Sequence, residues 1–165
     1  MDDKMETSAL QEWLDKQQIT EALHKYPIAL DSLDRELLLS IGHARGRVSF
    51  DGMFEGDWPT FVDWVITIHK GLLFHNHRIT NTLIELHGDV ASSRTNVTAT
   101  LLIRLDKGDA DERLIQARYL DKWTRENGVW LISERVLARD LRRTTRLSAE
   151  ELKARFVIDD SVRKI

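Results

Sequence analysis

The sequence predicts an α+β fold, in which helices come first and a meander of long antiparallel strands follows and bends over them. Three observations carry this. Apolar residues recur at steps of three and four up to about residue 72. Beyond Gly71 the pattern turns to alternation, clearest where Val97, Ala99, Leu101, Ile103 and Leu105 interleave with Asn96, Thr98, Thr100 and Arg104. The pairs GD at 88–89 and NG at 127–128 supply hairpin turn chemistry between the alternating runs.

Taken in order, Leu10, Trp13, Leu14, Ile19, Leu23, Tyr26, Leu30 and Leu33 form one helical stripe. Pro27 lies inside it and predicts a kink or break, because proline removes a backbone donor and crowds the preceding turn. A short helix follows over about 34–41, in LDRELLLSI. RVSF, after Gly42 and Gly46, reads as a short strand, and GMFEGDWP as the turn that ends it. Asp57 suits a helix N-cap and Pro59 a first turn, so Phe61, Trp64, Val65, Ile68 and Leu72 predict a helix over 58–73. Strands are expected over about 77–87, 93–105, 113–125 and 129–139, with His75 in the loop before the first. Residues 142–165 read as a charged tail, its RRTTR run a solvated surface and SAEEL the start of a last helix. The expectation is one domain over residues 1–165, with its core at about 12–141.

Composition narrows the function classes. A chain 42% hydrophobic and 31% charged is a globular protein rather than a disordered polymer. A net charge of −3 argues against nucleic acid as the partner. The acidic MDDKMETSAL start and the lack of any apolar run near the roughly 20 residues of a membrane span predict a cytoplasmic protein with no membrane partner. With no cysteine, disulfides, thiolate metal sites and a thiol nucleophile are excluded, and imidazole and carboxylate remain as reactive groups.

A sheet bent around three helices encloses a cone whose open end suits a small apolar ligand. His77 shares strand parity with Ile79, Asn81 and Leu83, so a core-facing Leu83 would bring His77 and Asn81 to the same face. Asp31, near the end of the first helix, sits where a carboxylate can meet the pocket rim. His75, His77 and Asp31 are a conceivable metal-ligand set, since alternate strand residues point the same way; neither a metal nor another cofactor is expected. Trp64, Trp123 and Trp130 read as core. His24, His43, His69 and His87 have no assignable partner, and Arg118 and Asp121 read as a pair across the sheet.

The phrases YPIALDSLDRELL, HRITN, HGDVA and RYLDKWTRENGVWLISERVLARD, in that order and spacing, resemble the SnoaL-like group of the nuclear-transport-factor-2-like superfamily, which includes scytalone dehydratase. The resemblance spans about residues 12–141. It implies a cone-shaped roll of a curved antiparallel (mixed) sheet on about three N-terminal helices. It places the family's helix-end aspartate on Asp31 and its strand-opening histidine on His77, which in dehydratase and dehydrochlorinase relatives act as a dyad. The chain departs from the dehydratase pattern in two places. NVTATL offers no second histidine, and Leu30 and Phe50 stand where that pattern has tyrosines. Tyr26, Asn81, Phe50, Arg118, Tyr119 and Asp140 are the expected substrate-binding residues.

Two functions follow from the resemblance. One is a cofactor-independent lyase or isomerase, dehydratase-like, acting on a small, largely apolar polyketide-, steroid- or aromatic-like molecule through Asp31 and His77. The other is a non-catalytic module that uses the pocket for a ligand or the sheet for a partner. Either fits a homo-oligomer, a dimer or trimer, built through the outer sheet face.

Overall fold

The computed structural model describes residues 2–157, with side chains from residue 7 onward. The elements are α1 (Asp2–Ser32), α2 (Arg35–Ile41), β1 (Gly42–Phe50), β2 (Phe54–Asp57), α3 (Trp58–Lys70), β3 (Phe74–His87), β4 (Val90–Arg104), β5 (Ala110–Glu126), β6 (Val129–Leu147) and α4 (Ala149–Arg155). The strands form one curved, unclosed sheet in the order β2-β1-β6-β5-β4-β3. β1 runs parallel to β6 and every other neighbouring pair is antiparallel, so the sheet is mixed and the fold α+β, as expected.

α1 is held by the C-terminal part of its stripe. Ile19, Leu23, Tyr26, Ala29 and Leu30 are buried, whereas Leu10, Trp13 and Leu14 stay exposed. The expected break at Pro27 does not occur, and α1 continues to Ser32. An internal proline costs a helix about 3 kcal/mol or more. Burial of Tyr26, Ala29 and Leu30 on either side of Pro27 offsets that cost. The helix ends at Leu33, which takes a left-handed φ of 59°, and Asp34 caps α2 by accepting from Leu37 N at 2.9 Å. Asp31 therefore sits in the last turn of a helix whose core face is fixed.

α3 starts as expected, with Asp57 accepting from Thr60 N at 2.9 Å. Trp58 beside that cap donates its indole N–H to Leu38 O at 3.0 Å. A β-carbon on Gly42 would lie 2.1 Å from the Trp58 ring, so only glycine lets β1 pass this indole.

Several strand expectations are corrected. β1 is longer than RVSF, and the GMFEGDWP turn contains β2, because the chain pairs back on β1 with Phe50 opposite Phe54. β3 opens at Phe74, which places His75 inside the strand, buried, rather than in a loop. β6 runs on to Leu147, so RRTTR is a strand paired with β5; its residues are exposed, and Arg142 at its start also borders the cavity on the concave side of the sheet. Beyond it, α4 starts at SAEEL with a capping box between Ser148 and Glu151. Leu152 of α4 closes a small second core with Leu102, Ala110 and Leu147. The remaining tail, 158–165, lies outside the described residues.

Candidate active site

The Asp31 carboxylate faces the start of β3 and collects its donors there. Oδ2 accepts from His77 N at 2.9 Å and Asn76 Nδ2 at 3.2 Å, and Oδ1 lies 2.7 Å from His77 Nδ1 and 3.4 Å from His75 Nδ1. Burial works to raise the carboxyl, but the hydrogen bonds from His75 and His77 and the His77 charge outweigh it and hold Asp31 at about 2. An ionised Asp31 can only accept, so His77 donates through Nδ1. The basic lone pair of the neutral ring is then on Nε2, the nitrogen remote from Asp31.

His69 adds a third imidazole. It lies in the last turn of α3 and donates Nδ1–H to Val65 O at 2.8 Å. Its ring is centred 5.1 Å from that of His75 and 5.2 Å from that of His77. Burial, reinforced by the neighbouring imidazoles, pushes His69 down to about 3, so it stays neutral at ordinary pH. The Nε2 atoms of His69 and His75 are both buried without a hydrogen-bond partner.

Ligand atoms of Asp31, His75 and His77 lie within 4.8 Å of one another. Two ligands of a tetrahedral zinc stand about 3.3 Å apart, given metal bonds near 2.0 to 2.1 Å. The 2.7 Å approach of Asp31 Oδ1 to His77 Nδ1 is a hydrogen-bond distance instead.

His77 and His69 line a cavity of about 180 Å³ between α1, α3 and the concave face of the sheet. Most of its wall is apolar, with Leu30, Trp64, Val65, Ile68, Leu101 and Ile115 among the lining residues. Trp64, expected as core, is thus also a cavity wall. Phe50 and Tyr119 line the same cavity.

The other expected site residues lie elsewhere. Tyr26 is buried behind the cavity, its ring 5.4 Å from Tyr119 and 4.2 Å from the Arg135 guanidinium. Burial pushes both phenols up, so they remain protonated. Asn81 and Leu83 are exposed. Asn81, with φ of 40°, is the extra residue where the β3–β4 register steps from Thr80–Asn96 to Thr82–Thr95. That bulge reverses strand parity and sends Ile84 and Leu86 inward in place of Leu83. Arg118 grips Asp140 with two hydrogen bonds outside the cavity. The expected Arg118–Asp121 pair does not form: Asp121 bonds Arg135, because residues three apart on a strand face opposite sides.

Sequence reasoning leaves His69 without a partner, places His75 in a loop, and misses three arginines of the cavity wall, Arg113, Arg139 and Arg142. His69 had a readable signal, since it follows Val62, Val65 and Ile66 on the buried face of α3. Arg113 shares strand parity with Ile115, Ala117 and Tyr119, a signal the sequence does carry, whereas the inward face of Arg142 is legible only once the bulge at Asp140 is known.

A curved mixed sheet on a helical layer, with an apolar cavity on its concave side, defines the cone-shaped α+β class. Residues 11–136 match the SnoaL-like domain family, most of the span of the resemblance, and the chain belongs to that family. Among solved structures it is similar to the Kfla4162 protein of Kribbella flavida, at 16% identity and TM-score 0.73, over 80% of this chain and 95% of that one. It is also similar to hexachlorocyclohexane dehydrochlorinase LinA-type3 of Novosphingobium barchaimii LL02, at 19% identity and TM-score 0.73, over 83% and 94% of the two chains. A candidate scytalone dehydratase of Novosphingobium aromaticivorans matches at 17% identity and TM-score 0.72, over 84% and 92%. No curated protein matches in sequence. At these identities the likeness is one of fold.

Proposed function

We propose that the protein is a cofactor-independent lyase or isomerase in which His77 moves a proton and Asp31 orients and charges it. The observation that carries this reading is the 2.7 Å Asp31–His77 contact, with the same imidazole forming part of an apolar cavity wall. His77 Nε2 takes a proton from a carbon beside a carbonyl or a leaving group. In elimination, the C–H electrons become the new double bond and the leaving group departs with its bonding pair; in isomerisation, the proton returns to another carbon. Asp31, held ionised, stabilises the imidazolium that forms. The dehydrochlorinase and dehydratase among the similar structures support this class of chemistry.

Leu30 and Phe50 both line the cavity and carry no hydroxyl, so a departing group gets no phenol from those positions. The substrate is a small, largely apolar molecule of polyketide, steroid or aromatic type. Assembly of copies through the outer sheet face, where Leu83 and Leu120 are exposed beside Lys122 and Glu134, belongs to the same reading, and sedimentation analysis tests it.

The deciding experiment screens such compounds against the protein and its Asp31→Asn and His77→Ala variants. Loss of general-base catalysis lowers turnover by about 10² to 10⁴. Equal turnover by all three proteins removes the dyad and leaves a non-catalytic binding module.

A further inference from the structure

We infer that the ligand of this cavity carries a compact oxyanion head group, a carboxylate or phosphate, held by Arg113, Arg139 and Arg142 on the flank opposite His77. This rests on the cavity of the proposed reaction and adds a substrate class to it.

The strand register sets the arrangement. His77 pairs with Ala99, Ala99 with Ile115, and Ile115 with Arg142, so a single cross-strand row runs from the imidazole on β3 to a guanidinium on β6. Arg113 lies on β5 two residues before Ile115, and Arg139 lies opposite Ala117, two residues after it. The register skips Asp140, and that bulge lets Arg139 and Arg142, three apart, line the same cavity. Three strand spacings of about 4.8 Å separate the ends of the row by about 14 Å along the sheet. Curvature and the inward reach of long arginine side chains reduce that gap to the size of a ring system.

The charges do not cancel within the wall. Asp51 is the carboxylate among the lining residues, 3.0 Å from Arg139 Nε. That contact is an ion pair whose geometry is out of line for a hydrogen bond, since Asp51 Oδ2 is left without one. Arg113 Nε is buried with no hydrogen-bond partner. Among the described residues, neither Arg113 nor Arg142 has an ion-pair partner within 4.0 Å. Three guanidinium groups stand against one carboxylate in this wall, Arg113 half-buried, Arg139 and Arg142 exposed, so positive charge is left over. The planar fork of arginine matches carboxylate and phosphate oxygens, and a desolvated, unpaired N–H costs stability until such a partner arrives. Val97, Ala99, Ile115 and Ala117 floor the space between, which suits an apolar body joining the head group to the carbon facing His77.

The test is calorimetric titration of the full chain with 2-naphthoate, 2-naphthyl phosphate and the neutral isostere 2-naphthamide. At least one anion should bind about tenfold or more tighter than the amide, with the tighter of the two identifying the head group. Arg113→Met and Arg142→Met should remove that preference, so that each variant binds anion and amide alike, and urea unfolding of each variant checks that it is folded. An amide that binds as well as both anions, anions that do not bind, or a preference that survives both substitutions overturns the inference. Repeating the titration on His77→Ala separates the two readings. Retained anion preference beside turnover that never depended on His77 leaves the anion site standing and removes the dyad; lost preference with His77-dependent turnover does the reverse.

Discussion

Asp121 and Asp31 are both carboxylates held inside the fold, and their partners set them apart. Asp121 accepts from Arg135 Nε and Nη2, each at 2.8 Å, with both side chains fully buried. The guanidinium lies 4.2 Å from the ring centres of both Tyr26 and Tyr119. Burial alone would lower Arg135, but Asp121 outweighs it and raises it above its ordinary value, so the charge is permanent. Asp31 is instead surrounded by imidazoles, keeps 23% of its side chain exposed, and hands one ring to a cavity. A fixed cation between aromatic rings can lock three elements together but has no proton to exchange. An imidazole on a carboxylate has one, and its second nitrogen is free to use it.

Arg135→Met should give the largest effect, because it leaves Asp121 buried without a partner. A destabilisation of about 3 to 5 kcal/mol is expected in urea unfolding. The double change Asp121→Leu with Arg135→Met removes both charges and should be less damaging than the single change. If the single variant were as stable as the parent, the contrast between the clusters would collapse.

His77→Ala should show the opposite profile. Turnover falls by about 10² to 10⁴, equivalent to roughly 3 to 5 kcal/mol of barrier, while unfolding free energy changes by less than in Arg135→Met. Comparing turnover and urea midpoints for the two variants separates a reactive cluster from a structural one.

The gentlest probe is pH. His69, lowered from 6.5 to about 3, stays neutral in the folded protein while the unfolded chain takes up a proton. Its contribution is present above about 6.5 and lost as pH falls toward 3. Asp31, lowered from 3.8 to about 2, adds a further loss between those values. Each group contributes at most about 1.4 kcal/mol per pH unit within its window, less for Asp31 because water screens its exposed part. His69→Gln should flatten the pH dependence of stability between about 6 and 4, followed by circular dichroism. Arg135 stays charged across this range, so its lock does not loosen with acid.

Much of the fold was legible because local chemistry specified it. Asp57 before Trp58 and Pro59 starts α3, Ser148 before SAEEL's glutamates starts α4, and GD and NG turn the hairpins, each through hydrogen bonds within a few residues. Asp31 and His77 were singled out by the family's order of motifs. Nothing in FHNH marks where pairing with Leu101 and Leu102 begins, so the sequence alone predicts a loop at His75. Alternation assumes an uninterrupted strand, so it predicts Asn81 on the face of His77.

Periodicity and turn residues by themselves determined the order of helices and strands, since both arise from interactions between near neighbours. Tertiary structure alone decided that α1 passes Pro27, that β2 pairs back on β1, and that bulges at Asn81 and Asp140 exchange which residues face inward. It also brought His69, His75 and His77 together from two elements and set three arginines across the cavity from them. These outcomes depend on register between strands far apart in the chain. A single inserted residue there turns every later side chain to the other face.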